Sequence, residues 1–128
     1  LIVSKELNTK GVSKEIKKIQ NDDIILDIGP ETILSIKKIV SNSNTIFWNG
    51  PAGLFENSLF ENGTKEIAKI ISDKTKKDKI FSVAGGGDTV AALNKFNLFK
   101  SFSFISTAGG AFLEFLEGKK LPGIKTIN

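Results

Sequence analysis

From Thr45 onward the sequence repeats one order of elements three times: a short apolar segment, a turn of small residues, and a stretch with helical periodicity. Thr45–Trp48 runs into Asn49-Gly50-Pro51-Ala52-Gly53, and residues 64–76 then place Ile67, Ile70 and Ile71 on one helical face. Ile80–Ala84 runs into Gly85-Gly86-Gly87-Asp88-Thr89 and a helix over 90–96. Ser101–Ser106 runs into Thr107-Ala108-Gly109-Gly110 and a helix over 111–116 that stops at Gly118. Strands separated by helices join as parallel neighbours through right-handed crossovers. The expected fold class is therefore α/β, a parallel sheet with flanking helices.

The segment before Thr45 is less regular. Leu1–Val3 reads as the tail of a strand, and residues 13–20 read as a short helix with Ile16 and Ile19 on one side. Residues 24–28 form a second apolar run, stopped by Gly29-Pro30. A helix over 31–40 follows, where a preceding proline is tolerated because first-turn donors have no partner in any case. Ile33, Ile36, Ile39 and Val40 are expected on its inner face, with Lys37 and Lys38 opposite.

Residue types narrow the chemistry. The chain has no Cys and no His, which removes thiol nucleophiles, disulfides, imidazole bases and zinc sites built on either residue. Any metal must be a hard cation held by carboxylate and phosphate oxygens. The net charge of +4 comes from lysines alone, spread along the sequence in pairs such as Lys17–Lys18 and Lys76–Lys77. A nucleic-acid surface needs a concentrated basic stripe with interleaved aromatics, so no nucleic-acid partner is expected, although a mild positive field favours small anions. No apolar run approaches the roughly 18 residues of a membrane span, and the N-terminus lacks the pattern of a signal peptide, so no membrane partner is expected. Leu1 in the place of an initiator Met leads to the expectation that the true start lies upstream.

In open α/β sheets ligands bind beyond the carboxyl ends of the strands, where all three turns fall. Glycines at a helix N-terminus let a ligand approach the backbone, and the free N–H groups attract anions. In the loop Gly85–Thr89, Asp88 or Thr89 can cap the helix. Alternatively, Asp88 can reach a Mg²⁺ ion on a nucleotide while Thr89 meets a phosphate oxygen. The N–H groups around Gly109 and Gly110 can stabilise charge on a transferring phosphoryl group, or the small residues can serve close helix–sheet packing. The first loop has a different character: Leu54 suits an adenine face and Glu56 a ribose hydroxyl, while an ordinary solvated charge is the other reading of Glu56. Neither a Walker A loop nor a G-x-G-x-x-G fingerprint occurs.

Taken together, Phe47-Trp48-Asn49-Gly50-Pro51-Ala52-Gly53-Leu54-Phe55-Glu56, the Gly85–Thr89 loop and Thr107–Ala111 with Leu113-Glu114-Phe115-Leu116-Glu117-Gly118-Lys119 resemble the phosphoglycerate kinases in order and spacing. Leu26-Asp27-Ile28-Gly29-Pro30 and the closing Leu121-Pro122-Gly123 fit the same family, and the resemblance extends over the whole chain. It implies a Rossmann-like sheet forming part of that family's C-terminal nucleotide-binding domain over residues 1–128, with the N-terminal phosphoglycerate-binding domain absent. It also implies reversible phosphoryl transfer between 1,3-bisphosphoglycerate and Mg-ADP, giving 3-phosphoglycerate and ATP in glycolysis, in a cytoplasmic and usually monomeric enzyme. By resemblance Asp88 contacts the magnesium, and Gly85, Gly86, Gly87 and Thr89 approach the nucleotide phosphates with Asn49 nearby. Glu56 takes the ribose hydroxyls, Leu26 and Leu54 line the adenine pocket, and Gly109 and Gly110 face the phosphoryl group in flight.

Two departures bear on that expectation. The third loop has Ala108 and Phe112 where the commonest family form has a third Gly and a Ser, so a hydroxyl that caps the helix is lost. The chain also lacks the Arg and His residues with which the family grips phosphoglycerate, and the upstream lysines that hold nucleotide phosphates. The chain alone is accordingly expected to make no ATP and to fold weakly. The alternatives are a non-catalytic nucleotide-binding remnant and a module that complements a separate N-terminal piece.

Overall fold

The computed structural model describes residues 1–121, so Pro122 and Gly123 of the closing motif lie outside the described residues. Its strands are β1 (Ile2–Ser4), β2 (Val12–Ser13), β3 (Ile24–Asp27), β4 (Thr45–Asn49), β5 (Phe81–Gly85) and β6 (Phe104–Ser106). The helices are α1 (Pro30–Ser41), α2 (Asn62–Asp78), α3 (Gly87–Lys95) and α4 (Gly109–Leu116). The expected parallel sheet is present as β4-β5-β6, with Phe47, Val83 and Phe104 in one row and Trp48, Ala84 and Ile105 in the next. Alternate strand residues point to opposite faces. The Trp48 row meets the helices, in a core of Val40, Trp48, Ile67, Ala68, Ile71, Ala84, Leu93 and Phe102. Burying a large apolar side chain of this kind stabilises by about 1.5–3 kcal/mol, so this cluster is the main support of the fold.

The other face of the sheet is only partly covered. Phe112 of α4 lies 5.0 Å from Phe47, ring centre to ring centre. Beside them Phe81 and Phe104 stand 54% and 53% exposed, which makes this an aromatic surface.

The first part of the chain departs from expectation. β1 pairs antiparallel with both β2 and β3, forming a second three-stranded sheet. The helix expected over 13–20 is instead the end of β2 followed by a single 3-10 turn at Ile16–Lys18. Two apolar residues cannot hold a helix to a core, and Ile16 is 77% exposed, whereas Val12 gains backbone bonds to Val3. Ile39, assigned to the inner face of α1, is also exposed, and Val40 alone of that helix is fully buried. The last strand is shorter than expected because Phe99–Ser101 forms a 3-10 turn before it.

The two sheets are joined through Asp27 at the end of β3. Its side chain is buried, and its carboxylate accepts the N–H of Ile28 at 2.8 Å and of Gly63 at 2.7 Å. Gly63 lies in the first turn of α2, so a carboxylate from a distant strand satisfies an orphan donor at the positive end of that helix. Burial raises the Asp27 pKa above the ordinary aspartate value, while the two N–H donors act the other way. Any side chain at Gly53 or Gly63 would run into this carboxylate, which explains both glycines.

Candidate functional site

A cleft of about 540 Å³ lies between the two sheets, walled by Leu26 and Asp27 of β3, by Pro51–Glu56, and by Asp88 of α3. Four of the residues singled out from the sequence therefore share one cavity: Leu26, Leu54, Glu56 and Asp88. Leu26 is buried, Leu54 half-buried, and Glu56 and Asp88 are exposed. The cleft thus has an apolar wall at one end and carboxylates within reach of solvent.

Its outer wall, the loop after β4, is tied down along its length. The N–H of Gly50 donates to Thr89 Oγ1 at 2.7 Å, and those of Ala52 and Gly53 donate to Thr64 Oγ1 at 3.1 and 3.2 Å. The N–H of Leu54 donates to the Leu26 carbonyl at 2.9 Å. Lys95 Nζ donates to the Phe55 carbonyl at 2.6 Å. These bonds reach three elements, β3, α2 and α3, so the loop is a fixed wall. Thr89 is wholly buried, and its hydroxyl oxygen serves as the acceptor that staples the first loop to the second.

The remaining candidates gather at the carboxyl edge of the parallel sheet. Asn49 ends β4, and its side-chain oxygen occupies the space that side chains at Gly86 and Gly109 would fill, while a side chain at Gly85 would press first on the Phe47 ring and then on Asn49. A methyl carbon at Gly109 would also lie 2.5 Å from the Gly86 nitrogen. The Gly86 N–H donates to the Ser106 carbonyl at 3.1 Å, and Gly86 has φ +90°, a left-handed conformation that favours glycine. These three glycines are thus accounted for by mutual packing of the loops. Gly87 and Gly110 are different: no described residue lies within 4 Å of a side chain added at either.

Among the described residues no side chain caps α3 or α4. The capping alternative for Asp88 and Thr89 is therefore not taken, and the first-turn N–H groups of both helices find no side-chain cap among those residues. At α4 the residue before the helix is Ala108, and Phe112 exchanges a possible capping hydroxyl for the contact with Phe47. Two helix N-termini without caps, on adjacent parallel strands, form a positive edge suited to a polyanion. Among the described residues no group of three or more Asp, Glu, His or Cys side chains could hold a metal ion. A hard cation at Asp88 would thus complete its shell with oxygens from an anionic ligand or water.

Sequence reasoning missed three residues that shape this site. Asp27 enters the sequence reading only within an apolar run and the Leu26–Pro30 motif, with no role of its own, although a carboxylate closing a buried strand is itself a sign of long-range capping. Thr64 and Lys95 left no local signal, because their partners lie 11–12 and 40 residues away. Among the described residues no helix is long and apolar enough to cross a membrane.

The family model of phosphoglycerate kinase matches residues 1–119. A phosphoglycerate kinase of Wolbachia pipientis (strain wPip) is 49% identical over 117 residues, covering 91% of this chain and 30% of its own length. That of Francisella philomiragia is 49% identical over 127 residues, covering 98% of this chain and 31% of its own. The structure of phosphoglycerate kinase from Coxiella burnetii superposes with a TM-score of 0.87 at 46% identity, over 97% of this chain and 31% of that one. The enzyme from Pyrococcus horikoshii OT3 gives 0.69 at 37% identity, over 80% and 24%. The chain therefore spans about a third or less of each relative. One family model covers residues 1–119, and a solved member follows the same backbone course: the chain belongs to the phosphoglycerate kinase family.

Proposed function

We propose that this chain is the nucleotide-binding part of the C-terminal domain of a phosphoglycerate kinase. The whole enzyme would transfer a phosphoryl group reversibly between 1,3-bisphosphoglycerate and Mg-ADP, giving 3-phosphoglycerate and ATP in cytoplasmic glycolysis. The observation that carries this proposal is the shared cleft of Leu26, Leu54, Glu56 and Asp88, with Asp88 in the first turn of α3. Leu26 and Leu54 form the wall for adenine, and Glu56 accepts hydrogen bonds from the ribose. The backbone N–H groups of Gly87 and its neighbours hold phosphate oxygens, with Gly85, Gly86 and Asn49 fixing the turn. Thr89 holds that turn to the first loop. At the start of α4, Gly109 and Gly110 present N–H groups to developing negative charge, which is how this reaction class is accelerated.

Asp88 fits the role of carboxylate ligand to a nucleotide-borne Mg²⁺, being exposed, in the first turn of α3 and on the cleft wall. When bound, that ion neutralises charge between the phosphate groups. A lone carboxylate beside an anion site would otherwise repel the ligand.

Titration calorimetry with Mg-ADP tests the proposal. Asp88→Ala should weaken binding by roughly tenfold or more, the scale of a charge-assisted contact, without lowering the melting temperature of a residue this exposed. Equal affinities of wild type and variant, or no binding by the wild type, would refute it. The exposed Phe81 and Phe104 favour one further element: this part works as a module docked against the remainder of the enzyme, and turnover needs both.

A further inference from the structure

We infer that Lys95 is a positioning residue that sets the nucleoside end of the cleft, an inference resting on the nucleotide proposal above. Lys95 ends α3, while Asp88 stands in the first turn of the same helix, seven residues or about 10 Å earlier. From that position Lys95 Nζ reaches the loop after β4 at two points, the Phe55 carbonyl at 2.6 Å and, more weakly, the Glu56 carbonyl at 3.4 Å. Its third contact is Glu61 Oε2 at 2.7 Å.

That arrangement differs from an ordinary surface ion pair. Glu61 Oε2 is closed off from solvent and makes no aligned hydrogen bond, so the ammonium group is the charge that compensates it. An ionised oxygen without water or donor is costly unless a cation faces it, which fixes Lys95 in place. Once fixed, Lys95 holds the backbone of the segment carrying Glu56. Among the described residues it is the only hydrogen-bond partner of Glu56, whose side chain stands in the cleft wall. One rigid helix therefore carries the cation ligand at its first turn and the clamp on the ribose-facing loop at its last. The separation of the two ends of the ligand is set by the helix, and the lysine at the C-terminal end also suits the helix dipole.

The test compares affinities for Mg-ADP and for Mg-2′,3′-dideoxy-ADP, which lacks the ribose hydroxyls, by calorimetry on the full chain. The wild type should favour Mg-ADP by about tenfold, the scale of hydrogen bonds to a charged group. Lys95→Met should bring that ratio down to roughly two or less, and Lys95→Arg should restore most of it. Glu61→Gln removes the carboxylate that anchors Lys95 without touching the loop; should the methionine variant not fold, the same fall in ratio is expected there. A merely structural lysine would lower both affinities equally. An unchanged ratio in the variants overturns the inference and leaves the nucleotide proposal standing, whereas a wild-type ratio near one overturns the inference together with the ribose role of Glu56. A wild type that binds no Mg-ADP overturns both.

Discussion

Gly109 and Gly110 are adjacent, yet the structure predicts opposite consequences for the same substitution. A methyl group at Gly109 would meet the Asn49 side-chain oxygen, and would lie 2.5 Å from the nitrogen and 2.7 Å from the Cα of Gly86. Two of those three atoms are backbone and part of the turn that opens α3, so the strain cannot be relieved by a rotamer change. Overpacking of this kind costs about 1–3 kcal/mol. At roughly 3–4 °C per kcal/mol for a domain of this size, Gly109→Ala should melt about 3–12 °C lower. A methyl at Gly110 meets nothing within 4 Å, and Gly110 lies within α4. Replacing a helical glycine by alanine gains about 0.5–1 kcal/mol, so Gly110→Ala should melt about 2–4 °C higher. If the space at Gly110 is kept for ligand, the same stabilised variant should bind Mg-ADP less well. Differential scanning calorimetry with and without Mg-ADP reads both quantities. Equal melting temperatures for the two variants would refute the packing account. Undiminished binding by Gly110→Ala would show that the open space at Gly110 is not needed for the nucleotide.

Two carboxylates should respond to pH in opposite directions. Burial raises the Asp27 pKa in the folded state, so its contribution is fully present below the unfolded value and is lost as pH rises through the folded one. Urea midpoints measured from about pH 3 to about pH 7 should show wild type losing ground to Asp27→Asn as pH rises, on top of a constant offset from the N–H that asparagine leaves unmet. The reverse slope would refute the burial argument. Asp23 is held far below the ordinary carboxylate range, first by Lys14, then by the Gln20 N–H and Lys5. Its contribution is present above the unfolded pKa and lost as pH falls toward the folded one. The deficit of Asp23→Asn in thermal melts should therefore be constant at neutral pH and shrink in acid; a deficit that persists undiminished in acid would count against it.

The parallel sheet was legible because its signals are local. Apolar runs such as Ile80–Ala84 end at glycines, and the helical stripe of Ile67, Ile70 and Ile71 sits one loop away from its strand. The convergence of Leu54, Glu56 and Asp88 followed from one rule about the carboxyl edge of such sheets. The first part of the chain was illegible for the complementary reason. Val12 becomes a strand residue through a partner nine positions earlier, and nothing in its own neighbourhood marks it. Periodicity put Ile39 on the inner face of α1, but a stripe shows which residues share a side and not how far the neighbouring helix reaches across it. Glycines at a helix N-terminus can leave room for a ligand or, as the alternative at Gly109 and Gly110 has it, allow close packing. At Gly85 the space is taken by Phe47 and Asn49, and at Gly86 and Gly109 by Asn49.

Among the described residues no backbone ladder runs from the β2-β1-β3 sheet into β4-β5-β6; the sheets meet through the Asp27 carboxylate, the Leu54–Leu26 bond and packing on α2. Such a division makes two units of unequal resistance to local opening. The larger has the Trp48 and Leu93 core, while the smaller rests on Val3 and Leu26 as its buried apolar residues. Transient opening of the smaller unit would remove the Leu26 wall of the cleft while the glycine edge of the parallel sheet stayed intact. The amide hydrogens of Gly63 and Leu54 would report that event by exchanging with solvent together and sooner than those of β5. A ligand spanning both walls would slow their exchange, so that occupancy of the cleft is itself what makes one cooperative body of the two.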